Sequence, residues 1–361
     1  MKLIHSFWTK PYVIGGHLEG SELRKNIVCF AYSVACAKKL NAAIELHTDN
    51  LGKKLLEFLP YDKIHTTLEG FDCDTTLWAA GKIETYKHIQ LGDVYIDGDV
   101  FLEREFAHYQ VFNIPADMLF LQTENYFINY YQNEQNRLSK IPFEICWESP
   151  YCCGVVRFNN AEAKQKYISK FEKCVEQMKN GDYIVDANLN ILFEQWFAVR
   201  ELAGYKIATI YRNEDELSES YYTGLWHYKG TNKFLDRFQK QILEKLETIN
   251  FNLHNTLLSL DFYKIVKNFN EIEAENNKIV ETETTETETE TDETETVDTE
   301  AVDTETVETE TVETETTETE IVDTETNETE TEIVETETVE TETTETETNE
   351  TEIEFDIDDI V

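Results

Sequence analysis

The run Gly92-Asp93-Val94-Tyr95-Ile96-Asp97-Gly98-Asp99-Val100-Phe101-Leu102 carries a hydrophobic strand directly into two acids separated by one glycine. In an extended segment residues i and i+2 share a face. Asp97 and Asp99 are therefore expected side by side, with Gly98 leaving room for a ligand against the backbone. Two carboxylates on one small surface repel each other unless a cation lies between them, and hard oxygen ligands suit Mg²⁺ or Mn²⁺ rather than zinc. The chemistry on offer is metal-assisted handling of phosphates. The plainer alternative for the pair is a strand-end turn or a helix cap.

A second constellation lies far along the chain, in Gly224-Leu225-Trp226-His227-Tyr228-Lys229-Gly230-Thr231-Asn232-Lys233. Its spacing is H-x-x-G-x-x-K. A neutral imidazole at His227 would complete the ligand set of a divalent ion. Gly230 would let backbone approach a pyrophosphate, and Lys233 is expected to open the next helix, adding its charge to the helix's amino-terminal dipole. Metal, loop and lysine together would stabilise a departing diphosphate. Taken alone, His227 would more often be a satisfied structural histidine; its spacing to Gly230 and Lys233 favours the ligand reading.

The elements that must position these groups alternate in type. Lys2–Trp8 reads as a strand, Ser21–Leu40 as a helix, and Ala42–His47 as a strand ending in Thr48-Asp49-Asn50, an N-cap rather than a ligand group. Leu51–Leu59 follows as a short helix, Ile64–Leu68 as a strand, Thr75–Ile89 as a helix and Asp93–Ile96 as the strand delivering the acids. Strands alternating with helices indicate a parallel sheet covered on both faces, with ligands bound beyond the carboxyl ends of the strands. Met118–Arg137, Asn160–Asn180, Asn188–Leu202 and Asn232–Leu260 are expected helices and Cys153–Phe158 a strand, after which the fold should be complete.

With these motifs in place, the sequence resembles the GT-A glycosyltransferases, most closely those of family 8. The resemblance rests on the D-x-D after the fourth strand, Asp97-Gly98-Asp99, and the later His227, Gly230 and Lys233. The helix with Gly81-Lys82-Ile83 is similar to the one preceding D-x-D in that family, whose basic residue reaches the nucleotide-sugar, so the resemblance gives Lys82 that role. Cys152-Cys153-Gly154-Val155-Val156 stands where the family has an Asn-(Ala/Ser)-Gly-Val turn. Glu194-Gln195 stands where it has Asp-Gln facing the transferred sugar. Phe234-Leu235 replaces the Pro-Trp that closes the family's motif, and the first strand has His5-Ser6-Phe7-Trp8 in place of an Asp-containing base-binding turn. The resemblance spans most of residues 1–250. It implies a Rossmann-like α/β GT-A fold with a mixed, mostly parallel sheet and transfer of a hexose from a nucleoside diphosphate sugar, UDP-linked, to a saccharide or other hydroxyl acceptor with retention. The implied site has Asp97, Asp99 and His227 at Mn²⁺ or Mg²⁺, with Asp97 on the metal or the donor ribose. Lys82, Gly230 and Lys233 would take the diphosphate, and Lys82, Glu194 and Gln195 the catalytic positions.

Composition separates two segments. Of the 73 acids and 31 basic residues, 38 acids and one lysine follow position 270, leaving 35 acids against 30 bases, a net charge of −5, on residues 1–270. That segment is long enough for one large core and has no basic excess for a nucleic-acid partner. Residues 271–361 are largely Glu-Thr alternation with almost no apolar surface to offset ordering entropy, and are expected to form a disordered, self-repelling tail. Its end, Ile353 to Val361 around Phe355, reads as a frayed terminus or a short docking peptide.

Seven cysteines without a C-x-x-C pair suit a reducing, cytoplasmic setting. No stretch reaches the roughly 20 apolar residues of a membrane span. The pair Cys152-Cys153 lacks further soft ligands at useful spacing, and of Trp78, Trp147 and Trp226 only the last, beside His227, rises above core packing as a sugar-stacking candidate. Two other functions share these features. A nucleotidyltransferase also uses paired Asp and a divalent ion, but needs a basic glycine-rich loop that Gly15-Gly16 lacks. A non-catalytic nucleotide-sugar or cation-binding protein would bind without turnover.

Overall fold

The computed structural model describes residues 1–14, 21–141, 149–272 and 274. Gly15-Gly16, Cys146, Trp147 and the Glu-Thr segment fall outside the described residues.

Among the described residues, nine strands form two sheets. The larger contains β1 (Leu3–Phe7), β2 (Ile44–Thr48), β3 (Lys63–His65), β4 (Val94–Ile96), β6 (Met118–Thr123), β7 (Tyr151–Phe158) and β8 (Ile207–Thr209). Their order is β3-β2-β1-β4-β7-β6-β8. Every pairing is parallel except those of β7 with β4 and β6, so β7 alone runs against the rest. The smaller sheet pairs β5 (Val100–Leu102) with β9 (Leu225–His227).

The period of two decides which face each side chain takes. Leu3, Phe7, Val94, Ile96, Leu119 and Leu121 join a core with helices Ser21–Lys39 and Asp236–Ile249, whereas Ile4, Tyr95, Met118 and Phe120 join one with helices Ala80–His88 and Ala161–Lys179. The result is a mixed, mostly parallel sheet between two helical layers, the Rossmann-like α/β class expected from the sequence. No described helix is long and apolar enough to cross a membrane.

Strand and helix expectations are met closely at β1, β2, β4, β7, Ser21–Lys39 and Ala161–Lys179. Asp49 is an N-cap: its Oδ1 accepts from Gly52 N at 2.8 Å and its Oδ2 from Thr9 N at 2.8 Å. The expected helix Met118–Arg137 is wrong in its first third, where Met118–Thr123 is β6 and the helix begins at Ile128. An unbroken apolar run buried on both faces has no period to distinguish strand from helix, and Met and Leu favour the wrong answer. The helix expected over Thr75–Ile89 is confined to Ala80–His88, because Asp74 turns the chain by accepting from Thr76 N at 2.9 Å. The expected helix Asn232–Leu260 is two helices, broken at Asn250, whose side chain caps the second by accepting from Leu253 N. The fold also continues past Leu260: residues 262–272 are helical and Phe262 is buried.

His5, on β1, supplies a test of the core. Its ring is fully buried, with Nδ1 2.7 Å from the Tyr61 hydroxyl and Nε2 3.1 Å from Ser33 Oγ. Burial pushes its pKa down to about 3, against the opposing pull of Asp99. The unfolded chain therefore takes up a proton that the folded chain refuses. The contribution is fully present above pH 6.5 and is lost, at about 1.4 kcal/mol per pH unit, as pH falls toward 3. Urea midpoints between pH 7 and 5 should fall more steeply for the native chain than for His5→Gln; parallel slopes would show that His5 does not carry the effect.

Candidate active site

A cleft of about 620 Å³ opens beyond the carboxyl ends of β1 and β4, lined among others by Trp8, Asp97, Asp99 and His227. The acids reach it differently from the extended geometry expected. The chain turns after β4: Asp97 N donates to Gly154 O at 2.8 Å, and Val100 N donates back to Asp97 O at 3.0 Å. The turn, not strand alternation, brings Asp97 and Asp99 together. Gly98 lines the cleft, and it also makes room for the Phe30 ring, since a β-carbon at this position would lie 2.6 Å from it. Gly98→Ala should therefore cost about 1–3 kcal/mol of stability by overpacking, and Phe30→Leu in the same chain should recover part of it in urea unfolding. No cost for the single variant would show that the turn yields freely.

The small sheet brings in the distant histidine. β5 follows directly on the turn and pairs antiparallel with β9, placing His227 opposite Val100, while Tyr228 N donates to Asp99 O at 3.1 Å. One ligand atom each from Asp97, Asp99 and His227 lies within 4.8 Å of the other two, with His227 Nε2 3.7 Å from Asp99 Oδ1. Two carboxylates and an imidazole on a concave wall form a donor set that fits Mn²⁺ or Mg²⁺. Behind the ring, Cys152 Sγ is 3.8 Å from His227 Nδ1.

Two lysines balance the acids. Asp99 is 7 % exposed. Burial alone would raise its pKa, but Lys233, 2.9 Å from Oδ2, and His227 hold the carboxyl below the usual range. Lys233 stands in a 3-10 turn, Gly230–Phe234, and not at the helix start expected. That turn opens at Gly230, whose φ of 66° is in the left-handed region where a side chain is strained.

Lys82 is 6 % exposed and donates to Glu194 at 2.7 Å and to Cys153 O at 3.1 Å, and it lies 3.0 Å from Asp97 Oδ1. Burial would discharge it, yet the Asp97 and Glu194 carboxylates override that and hold its ammonium well above the usual lysine range. Asp97 also accepts from the Tyr95 hydroxyl at 2.7 Å.

Glu194 and Gln195, in the π-helical turn Phe193–Phe197, part company. Gln195 lines the cleft and accepts from Tyr131 OH at 2.7 Å. Glu194 has no exposed surface and lies behind Lys82; burial pushes its pKa up to about 7 against the Lys82 charge, and its Oε2 has no hydrogen-bond partner among the described residues.

Trp226 does not line the cleft. It sits one residue out of phase with His227, paired with Phe101 and packed against Tyr221. Trp8 and the half-exposed Trp78 line it instead. Sequence reasoning also missed Lys229, which reaches the cleft wall in ion pairs with Glu124 and Glu216. A lysine in a loop carries no signal of such a role. Tyr95 did carry one, being on β4 two residues before Asp97.

A family model described as "Family of unknown function (DUF6734)" matches residues 1–266. No curated protein matches the chain. Among solved structures, the chain is similar to LgtC, a galactosyltransferase crystallised in complex with donor and acceptor sugar analogues, at 13% identity and a TM-score of 0.40, covering 72% of this chain and 98% of that one.

Proposed function

The chain belongs to the DUF6734 family, whose function is unknown, and we propose that it is a metal-dependent glycosyltransferase of GT-A organisation. It would move a hexose from a nucleoside diphosphate sugar, UDP-linked by the family 8 resemblance, to a saccharide or other hydroxyl acceptor. The observation carrying this reading is the convergence of Asp97, Asp99 and His227 on one wall of a deep cleft, with Lys82 and Lys233 beside them.

Asp99 and His227 hold Mn²⁺ or Mg²⁺, with Asp97 on the ion or the donor ribose; the bound ion supplies charge for the departing diphosphate. Lys233 turns from Asp99 to the phosphates, and the Gly230 backbone lies against them. Lys82 fixes Asp97 and adds positive charge where the diphosphate gathers negative charge. Gln195 faces the transferred sugar, and Glu194 acts through Lys82 as a positioning residue. The same resemblance implies retention of configuration. The free cysteines suit a reducing compartment such as the cytoplasm.

The test is a screen of nucleotide-sugars for Mn²⁺-dependent hydrolysis by the full chain. One UDP-hexose should be turned over. Binding without turnover would favour a non-catalytic binding protein, and pyrophosphate release from a nucleoside triphosphate would favour a nucleotidyltransferase. The domain is taken as residues 1–270 and the Glu-Thr segment as a solubilising tail or an electrostatic handle for a basic partner. Truncation after Asn270 should leave donor hydrolysis intact, and loss of activity in a still-folded truncation would assign the tail a part in turnover.

A further inference from the structure

A second group of metal-ligating side chains lies at the outer edge of the large sheet. β2 and β3 pair in parallel with His47 opposite His65, and Glu45 is two residues before His47 on the same face of β2. One ligand atom each from Glu45, His47 and His65 lies within 4.8 Å of the other two. None of the three lines the cleft.

The contacts leave donors available. His47 is buried, and its Nδ1 is engaged with Thr67 Oγ1 at 3.0 Å, so Nε2 is its remaining ligand atom. His65 Nε2 lies 2.9 Å from Glu45 Oε2, the same oxygen that Lys2 Nζ approaches at 2.6 Å. The imidazoles of His65, His47 and His88 form a column with centroid spacings of 4.6 and 6.1 Å and near-parallel planes. Glu84, near His88 Nε2 at 3.6 Å, and Lys2 are the other charged groups facing it.

We propose that Glu45, His47 and His65 form a second divalent-metal site, of the zinc class, independent of the cleft. Two imidazoles and one carboxylate suit Zn²⁺ better than the harder Mg²⁺ or Ca²⁺, and three protein ligands leave a fourth position for water. The ion takes the place of the proton between His65 Nε2 and Glu45 Oε2 and displaces Lys2. At zinc–ligand distances of ~2.0–2.2 Å tetrahedral ligand atoms stand roughly 3.4 Å apart, so rotation of the partly exposed Glu45 and His65 side chains must open their 2.9 Å contact slightly and bring both toward His47 Nε2. Because β3 is a three-residue edge strand with one neighbour, the ion clamps an element that only β2 otherwise holds.

The experiment titrates Zn²⁺ into the full-length chain carrying Asp99→Asn and His227→Ala, which removes the cleft ligands, and compares it with the same chain bearing His65→Gln in addition. His65 is a partly exposed edge residue, and circular dichroism and the metal-free unfolding temperature establish that the added change leaves the fold intact. Calorimetry should find one tight Zn²⁺ equivalent in the first chain, weakened at least tenfold by His65→Gln. Zn²⁺ should raise the unfolding temperature of the first chain by several degrees and not that of the second. Weak binding to the acidic tail is common to both chains and cancels. Equal affinity and equal thermal shift in the two chains, or no tight equivalent in either, would overturn the proposal.

Discussion

Asp99→Asn should lower Mn²⁺-dependent donor hydrolysis on the order of 10³-fold, a loss of about 4 kcal/mol of transition-state stabilisation. Asparagine keeps the shape of the side chain and an oxygen to accept from Lys233, so the turn between β4 and β5 should survive. What it removes is the anionic oxygen that pairs with Lys233 at 2.9 Å and faces His227 at 3.7 Å. His227→Ala should cost less, about 10²-fold, because two carboxylates remain. Added EDTA should reduce the native protein to the level of Asp99→Asn, with activity restored by Mn²⁺. Native-like rates in a folded Asp99→Asn protein would remove the carboxylate from the reaction.

Lys82→Met should have the largest effect on stability. It takes the cation from between Glu194, which has no exposed surface, and the partly exposed Asp97, and leaves the buried Glu194 without compensation. Removing one member of a buried ion pair costs about 3–5 kcal/mol. Glu194→Gln in the same chain should restore more than half of this, because the uncompensated charge then disappears, while activity stays lost for want of the Lys82 ammonium. The sign with pH is fixed as well. Glu194 already has its pKa pushed up to about 7 by burial, and loss of Lys82 pushes it further. The single variant therefore keeps its stability at pH 5, where Glu194 is protonated, and loses it as pH rises toward 8. Urea unfolding of native, single and double variants at both pH values measures this, and a single variant as stable as native at pH 8 would show that the network is not needed for folding.

The sequence made the front of the fold legible because its patterns are long. β1, β2 and the 19-residue helix Ser21–Lys39 each present enough positions for a period to be seen. Asp97, Asp99, His227, Gly230 and Lys233 stood out by residue type and spacing. The device that brings them together did not. β5 and β9 are three residues each, too short for any period, and their register decides that His227 faces the cleft while Trp226 does not. Burial was equally hidden. Nothing in the local sequence distinguishes Glu194, sealed behind Lys82, from Gln195 one residue on, which reaches the cleft. The Glu45, His47 and His65 group shows the same limit, because its members sit on recognisable strands but become neighbours only through the register of β2 with β3.

Crystals of the full chain grown with Mn²⁺ and UDP, measured at the manganese absorption edge, decide whether the three side chains share one cation. The expected result is a single anomalous peak in the cleft, ligated by Asp99 Oδ and His227 Nε2, with Asp97 on the ion or the ribose and diphosphate oxygens completing the shell. A cleft containing UDP but no peak, or a peak from which His227 is turned away, would contradict the proposed chemistry.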